Sequence, residues 1–322
     1  TTANMLDYTM IIVSVGCIAT IASGMTLDNF KKKYIRIMDV IAIISLICFY
    51  IQLTNKTMVY QLGNAKLVEG YLISPFHTWG WTYIFERNAG PFWEPGAFQG
   101  YLILAILFIL NEEDIKKDIK SLIILMITVI TTMSTTGYIL LTIITCYLVV
   151  IYWKKSLKKS KDKILTILKI MGILFLAIIV VKYISSSDII SNKLTSSNES
   201  FSIRMLHLKH GVDIIGKRML LGFGISSPAL MKVIKMYGME SNSVGLFAIL
   251  QYFGIIFGTL FIFWNFYRIC KIYKNLNSCV VVLIFFILHM TEGLLLFPVY
   301  MSFLFWRIPK HVVKKSSVRM EK

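Results

Sequence analysis

Long apolar windows separated by clusters of lysine and arginine set the strongest limit on what this chain can become. Uninterrupted apolar stretches run over Tyr8–Leu27, Ile37–Leu53, Ala97–Leu110, Ser121–Trp153, Ile164–Ile184, Val244–Tyr267 and Val280–Trp306. Windows near twenty residues match the helix length that crosses a hydrocarbon core of about 30 Å. In lipid a segment must satisfy its own backbone groups, so each window is expected to be helical. Hydrophobic residues make up 56% of the 322 residues and charged residues 16%. Soluble domains average roughly 45–50% and about 25%, so a water-exposed fold is excluded and an all-α, polytopic transmembrane helix bundle is predicted.

Two windows need division. At about 1.5 Å per residue, Ser121–Trp153 would overrun the bilayer, and Ser134, Thr135, Thr136 and Gly137 interrupt it, which predicts two short helices joined by a turn. In Val280–Trp306, Glu292, Gly293 and Pro298 predict a short out-and-back pair. The expected organisation is one integral-membrane domain over 1–322 with about eight or nine spans. The first apolar run lacks a basic region before it and a small-residue cleavage pattern, so no signal peptide is expected. A chain opening on Thr1 leaves room for further spans ahead of it.

The formal charge is +17, from 34 Lys and Arg against 17 Asp and Glu. Its placement argues against nucleic acid as a partner. Lys31–Arg36, Lys154–Lys163, Arg268–Lys274 and Arg307–Lys322 all sit at the ends of apolar windows, as cytoplasmic segments do under the positive-inside rule. With these clusters inside, the long outer loops fall at 54–96 and 185–243, the Ser134–Gly137 turn and the surroundings of Glu292 face outward, and 307–322 forms a basic cytoplasmic tail. The second outer loop is expected to carry two amphipathic helices. One is capped by Ser202 and runs through Ile215; the other starts at Ser227-Pro228 and runs to Tyr237, with Gly222 and Gly224 turning between them. Leu206, Ile214, Leu230, Val233 and Ile234 would lie on the membrane surface.

Polar residues that could carry chemistry gather at the outward segments. In Glu86–Gly96, Arg87 offers a planar fork suited to phosphate. Glu94 beside Phe92 and Trp93 would be part-desolvated, with the raised basicity a general base uses. The same segment also reads as an interfacial aromatic belt with one structural ion pair. Arg204, His207 and His210 recur at i, i+3 and i+6, which puts Arg204 and His207 on one helix face. Arg204 suits phosphate, whereas the histidines read equally as a solvated or headgroup-facing pair. Glu240, Ser241, Asn242 and Ser243 form a polar cap before the Val244 window. Glu292 lies inside an apolar window, where an acid is costly and should face the bundle interior with a cationic partner.

No metal site is expected: the histidines lack a third ligand nearby, and Cys17, Cys48, Cys146, Cys270 and Cys279 form no CxxC pair. P-loop, GxGxxG, HExxH, GxSxG and DxD patterns are absent, so no cofactor is expected and any chemistry would be metal-independent.

The run Arg87-Asn88-Ala89-Gly90-Pro91-Phe92-Trp93-Glu94-Pro95-Gly96-Ala97-Phe98-Gln99 resembles the signature of bacterial O-antigen and capsule repeat-unit polymerases, in the O-antigen polymerase and ligase superfamily. Ser134–Tyr138 looks similar to that superfamily as well. So do Arg204 leading to Leu220-Leu221-Gly222-Phe223-Gly224, and Ser241-Asn242 before a span continuing to Gly254. The resemblance covers about Tyr83 to Pro298. It implies a glycosyltransferase of the GT-C type that joins repeat units carried on undecaprenyl pyrophosphate, in the cytoplasmic membrane with its site facing outward. Membrane lipid and a chain-length regulator protein are the implied partners. In that reading the substrate-binding set is Arg87, Arg204, His207, Asn242 and Glu292, with Arg87 and Arg204 on the pyrophosphate, and the candidate bases are Glu94 and then Glu240. Ligases of the superfamily carry a histidine immediately before the Asn that matches Asn242; this chain has Ser241 there, with Glu240 preceding. A ligase-type transferase and a non-enzymatic flippase of polyprenyl-linked sugars stand as the other readings. A flippase would show repeated halves or broken helices at mid-membrane, and here the charged groups gather at one face.

Overall fold

A computed structural model describes residues 2–54, 87–112, 114–159, 199–225, 227–239 and 244–307. All of its regular structure is helical, with no strand among the described residues. The helices are α1 (Thr2–Gly24), α2 (Leu27–Thr54), α3 (Pro95–Leu110), α4 (Ile119–Thr131), α5 (Thr135–Lys159), α6 (Glu199–Lys217), α7 (Pro228–Met236), α8 (Gly245–Ile272), α9 (Ser278–Thr291) and the single turn α10 (Pro298–Met301). The apolar helices make the chain an all-α membrane helix bundle. The window Ile164–Ile184, Glu240–Ser243 and nearly all of the basic tail lie outside the described residues.

α3 is the centre of the bundle. Every residue from Pro95 to Leu110 is buried, against α2, α4 and α5. Pro95 starts it well, since a first-turn residue has no intrahelical acceptor for an N–H to lose. The far end of α3 is tied to the end of α8. The Asn111 amide donates to the Ile272 carbonyl (3.3 Å), and Asn275 donates both its backbone N–H (3.2 Å) and its side chain (2.6 Å) back to Asn111. Between membrane helices lipid is as apolar as the side chains, so close packing and such hydrogen bonds supply the cohesion.

The stretch over 121–153 is divided between α4 and α5. Thr132 and Met133 leave the helix, Met133 at φ 50°, and the Ser134 hydroxyl accepts from the Gly137 N–H (3.4 Å) to open α5. The Tyr138 hydroxyl closes the turn by donating to the Ile130 carbonyl (3.0 Å). The basic residues Lys31–Arg36, expected beside a window, instead lie within α2. Lysine and arginine are good helix formers, so the helix continues through them, with Lys31 3.7 Å from Asp28.

α8 is bent sharply. Gly254 adopts φ 70°, ψ −179° and divides it into a first arm, Gly245–Phe253, and a second arm, Ile255–Ile272. The arms fold against each other: a side chain built on Gly258 would lie 3.2 Å from the Leu250 Cα, and Leu246 and Ile249 share an apolar cluster with Phe261, Ile262 and Phe266. Residues 219–224 bond to the break through their backbone, 218–222 as a closed turn and 223–224 running on beside it. Ile255 donates to the Met219 carbonyl (2.8 Å), Phe223 to Gln251 (2.8 Å) and Gly224 to Tyr252 (2.9 Å). Gly222 at φ 70° makes the approach possible, since a Cβ there would stand 2.5 Å from the Gly254 nitrogen.

α6 and α7 pack on each other. Ile214, Leu230, Ile234 and Met239 form their own buried cluster, with Leu206 and Val233 against it. The face expected on the membrane surface is therefore spent on a small core. α6 also starts at Glu199, ahead of Ser202.

Candidate functional site

The chain around Arg87–Gly96 is held by Asn88. Its N–H donates to the Thr131 carbonyl (3.0 Å), and its side-chain amide donates to Thr131 Oγ1 (3.0 Å) and Ser45 Oγ (3.2 Å). Its Oδ1 accepts from the Gly90 N–H (3.0 Å), a local turn that Gly90 completes at φ 52°. Arg87 is thereby set beside the α4–α5 turn, where its Nε donates to the Thr132 carbonyl (3.1 Å). Phe92 stacks on Phe98 (5.2 Å) and Trp93 on Phe297 (4.8 Å). Glu94 is the residue before α3. Although expected to be part-desolvated, it is exposed, with one carboxylate oxygen accepting from the Trp93 indole N–H (3.2 Å).

Glu292 faces the interior: it is 4% exposed. α9 stops at Thr291 and Glu292 turns to extended backbone, which carries its side chain across to the start of α3. The carboxylate lies against Gly96, with Cδ at 2.8 Å and Oε2 at 3.0 Å from where a Cβ on Gly96 would stand. An anion there meets the unpaired N–H groups and the positive end of the helix dipole. On its other side the Glu292 carbonyl would be 2.7 Å from a Cβ on Gly245, the first residue of α8. Glu292 therefore joins the starts of α3 and α8.

The next residues along α3 continue this polar seam. Gln99 is fully buried, its carbonyl oxygen 3.3 Å from a Cβ position on Gly137, and its amide makes no hydrogen bond among the described residues. The Tyr300 hydroxyl faces Gly100, and the His289 ring packs edge-on to Tyr300 (5.1 Å). Neither Tyr300 nor His289 hydrogen-bonds through its side chain among the described residues. Buried polar groups left in this way cost about 1–3 kcal/mol each, which marks a seam kept for something other than packing. The signal for Gln99 and His289 was the one that singled out Glu292, a polar residue inside an apolar window.

His207 and His210 are not a solvated pair. His207 is 4% exposed, and burial pushes its ionisation below the usual imidazole range. His210 stacks on Tyr237 (4.7 Å) with Nδ1 3.6 Å from Asp213. Arg204 lies on the same helix, its side chain outside the described residues. α6 runs beside the first arm of α8, where Gly211 meets Phe247. Glu292 thus meets the starts of α3 and α8, Glu94 directly precedes α3 and Arg87 stands at the α4–α5 turn, while the side chains of Arg204, Glu240 and Asn242 lie outside the described residues. No cluster of three or more His, Cys, Asp or Glu side chains suited to a metal occurs among the described residues.

Compared with known families, residues 121–249 match the family described as O-antigen ligase. The matched stretch holds the α4–α5 turn, α6, α7 and the start of α8, and it excludes Arg87–Gly96 and Glu292. The match supports the O-antigen polymerase and ligase superfamily, whose members are membrane glycosyltransferase-like enzymes acting on polyprenyl-linked sugars. No curated protein and no solved structure matches the chain.

Proposed function

We propose that this chain is a membrane glycosyltransferase that polymerises undecaprenyl-pyrophosphate-linked oligosaccharide repeat units into surface polysaccharide, at the outer face of the bacterial cytoplasmic membrane. The observation that carries the reading is Glu292 buried between Gly96 at the start of α3 and Gly245 at the start of α8, with Arg87 bonded to the Thr132 carbonyl at the α4–α5 turn. The α4–α5 turn and Gly245 belong to the stretch that matches the O-antigen ligase family. Ser241 in place of the histidine that precedes the matching Asn in ligases favours the polymerase.

The transfer needs three things. The acceptor hydroxyl attacks the anomeric carbon of the donor, the bond from that carbon to the pyrophosphate oxygen breaks with its electron pair, and the hydroxyl proton passes to a base. Arg87 and Arg204 bind the departing pyrophosphate and stabilise its growing charge without a metal, an effect of a few kcal/mol for a desolvated donor (about 2.7–4). Glu94, exposed at the start of α3, takes the proton, with Glu240 as the second base. His207, Asn242 and Glu292 shape the sugar site, Glu292 by fixing the start of α3 against α8. A chain-length regulator acts on the same assembly.

Deletion of the protein tests this reading through the lipid intermediates that accumulate. Single repeat units on lipid support the polymerase. Complete polymer left on lipid assigns the ligase reaction instead, and no change in lipid intermediates rejects both.

A further inference from the structure

The apolar face that α6 leaves exposed is distinct from the face buried against α7. Met205, Leu208 and Val212 follow one another at helical spacing, and Met219, Leu220 and Leu221 extend the stripe past the end of the helix at Lys217. Val212, Leu220 and Leu221 are 64%, 62% and 67% exposed. This tip does not gain its exposure by being loose. The three backbone hydrogen bonds to the α8 break hold 219–224 in place, so three successive large apolar side chains are presented outward on fixed backbone.

Two further observations identify what covers the stripe. Its tip is continuous with the exposed side of the second arm of α8: Met219 bonds directly to Ile255, after which Ile256, Phe257 and Leu260 are exposed. That arm has 18 residues, about the length of one membrane span. Lys217 and Arg218, both exposed, immediately precede the apolar tip. Each lays its cation over an aromatic ring, Lys217 over Tyr237 (5.6 Å) and Arg218 over Phe223 (5.3 Å), which keeps the charge beside the stripe. Apolar side chains next to paired cations match the boundary between acyl chains and phosphates.

We infer that Met205, Leu208, Val212 and the tip Met219–Leu221 form a lipid-binding surface, sunk among the acyl chains of the bilayer phospholipid, with Lys217 and Arg218 at its phosphates. The inference stands apart from the proposed reaction. It places the break of α8 at one surface of the bilayer and makes the α6–α7 unit part of the membrane boundary.

The test uses the full chain in liposomes of phosphatidylethanolamine and phosphatidylglycerol, with the five cysteines replaced by serine and bimane attached at Val212→Cys or Leu220→Cys. Brominated phospholipid is expected to quench both labels severalfold more than aqueous iodide does. Raising the phosphatidylglycerol content should strengthen quenching at Leu220→Cys, and Lys217→Gln with Arg218→Gln should abolish that response. Quenching by iodide alone would overturn the inference, as would labels shielded from both quenchers, the outcome for a protein partner. Loss of bromolipid quenching on adding undecaprenyl diphosphate would overturn it too, reassigning the surface to that lipid. If Leu220→Cys fails to accumulate, Leu221→Cys reports on the same tip.

Discussion

The carboxylate of Glu292 occupies the space that a side chain on Gly96 would need. Even a methyl group at Gly96 therefore sets the first turn of α3 against the end of α9. Gly96→Ala is expected to destabilise the protein by about 1–3 kcal/mol, the usual cost of overpacking. Adding Glu292→Ala should recover most of that loss, because the two substitutions share one contact. Thermal unfolding of the single and double variants in detergent checks this, and purely additive losses would contradict the packing described.

Arg87 reports on the chemistry more than on the fold. It is half-buried, and its Nε bond to the Thr132 carbonyl is one of several that fix this loop, Asn88 making the others. Arg87→Ala is expected to leave membrane abundance near that of the parent and to lower chain extension by about 10²-fold or more, as loss of a charge-stabilising donor does. Polysaccharide ladders beside an immunoblot of the membrane fraction read both quantities. An unchanged ladder would remove Arg87 from the site.

Gly254 meets two demands that only glycine satisfies at once. Its φ of 70° with ψ of −179° is a conformation almost confined to glycine and costs another residue about 1–3 kcal/mol. A Cβ there would also run into the Leu220 carbonyl, which belongs to a backbone that cannot rotate away. Gly254→Ala should lower the unfolding temperature and expose residues 219–224 to protease. Gly258→Ala, whose nearest neighbour is the movable end of the Leu250 side chain, should do so less.

His207 predicts a pH dependence. Burial lowers its ionisation in the folded protein, so the unfolded chain binds the proton more readily. Stability from this residue is fully present above the ordinary imidazole value of about 6.5 and falls as pH drops through the folded value. His207→Gln should flatten the unfolding temperature between pH 7.5 and 5 relative to the parent. An equal slope in both proteins would show that another group sets the dependence.

The helical class was legible because apolar windows bounded by charge have few alternatives in lipid. The turn at Ser134 and the interior position of Glu292 were legible for the same reason: a polar group in such a window must be paired or placed at an end. The break at Gly254 was not. Its sequence, Tyr252-Phe253-Gly254-Ile255, reads as ordinary helix, and the left-handed backbone is imposed by Gly222, more than thirty positions earlier in the chain. The faces of α6 and α7 show a related limit. Periodicity revealed which residues of Leu230–Ile234 are covered, but a neighbouring helix and a bilayer demand the same pattern. At the site, Tyr300 gained its interest only once the packing showed Gly100 facing its hydroxyl.

The bend of α8 carries a consequence for biosynthesis. Residues 219–224 leave the ribosome before residues 251–255, so the backbone groups that bond to the break precede the glycine that needs them. The leading nine residues of α8 also pack against Glu292, Gly293 and Leu295, which are made later still, so the bend is completed only after α9 has followed.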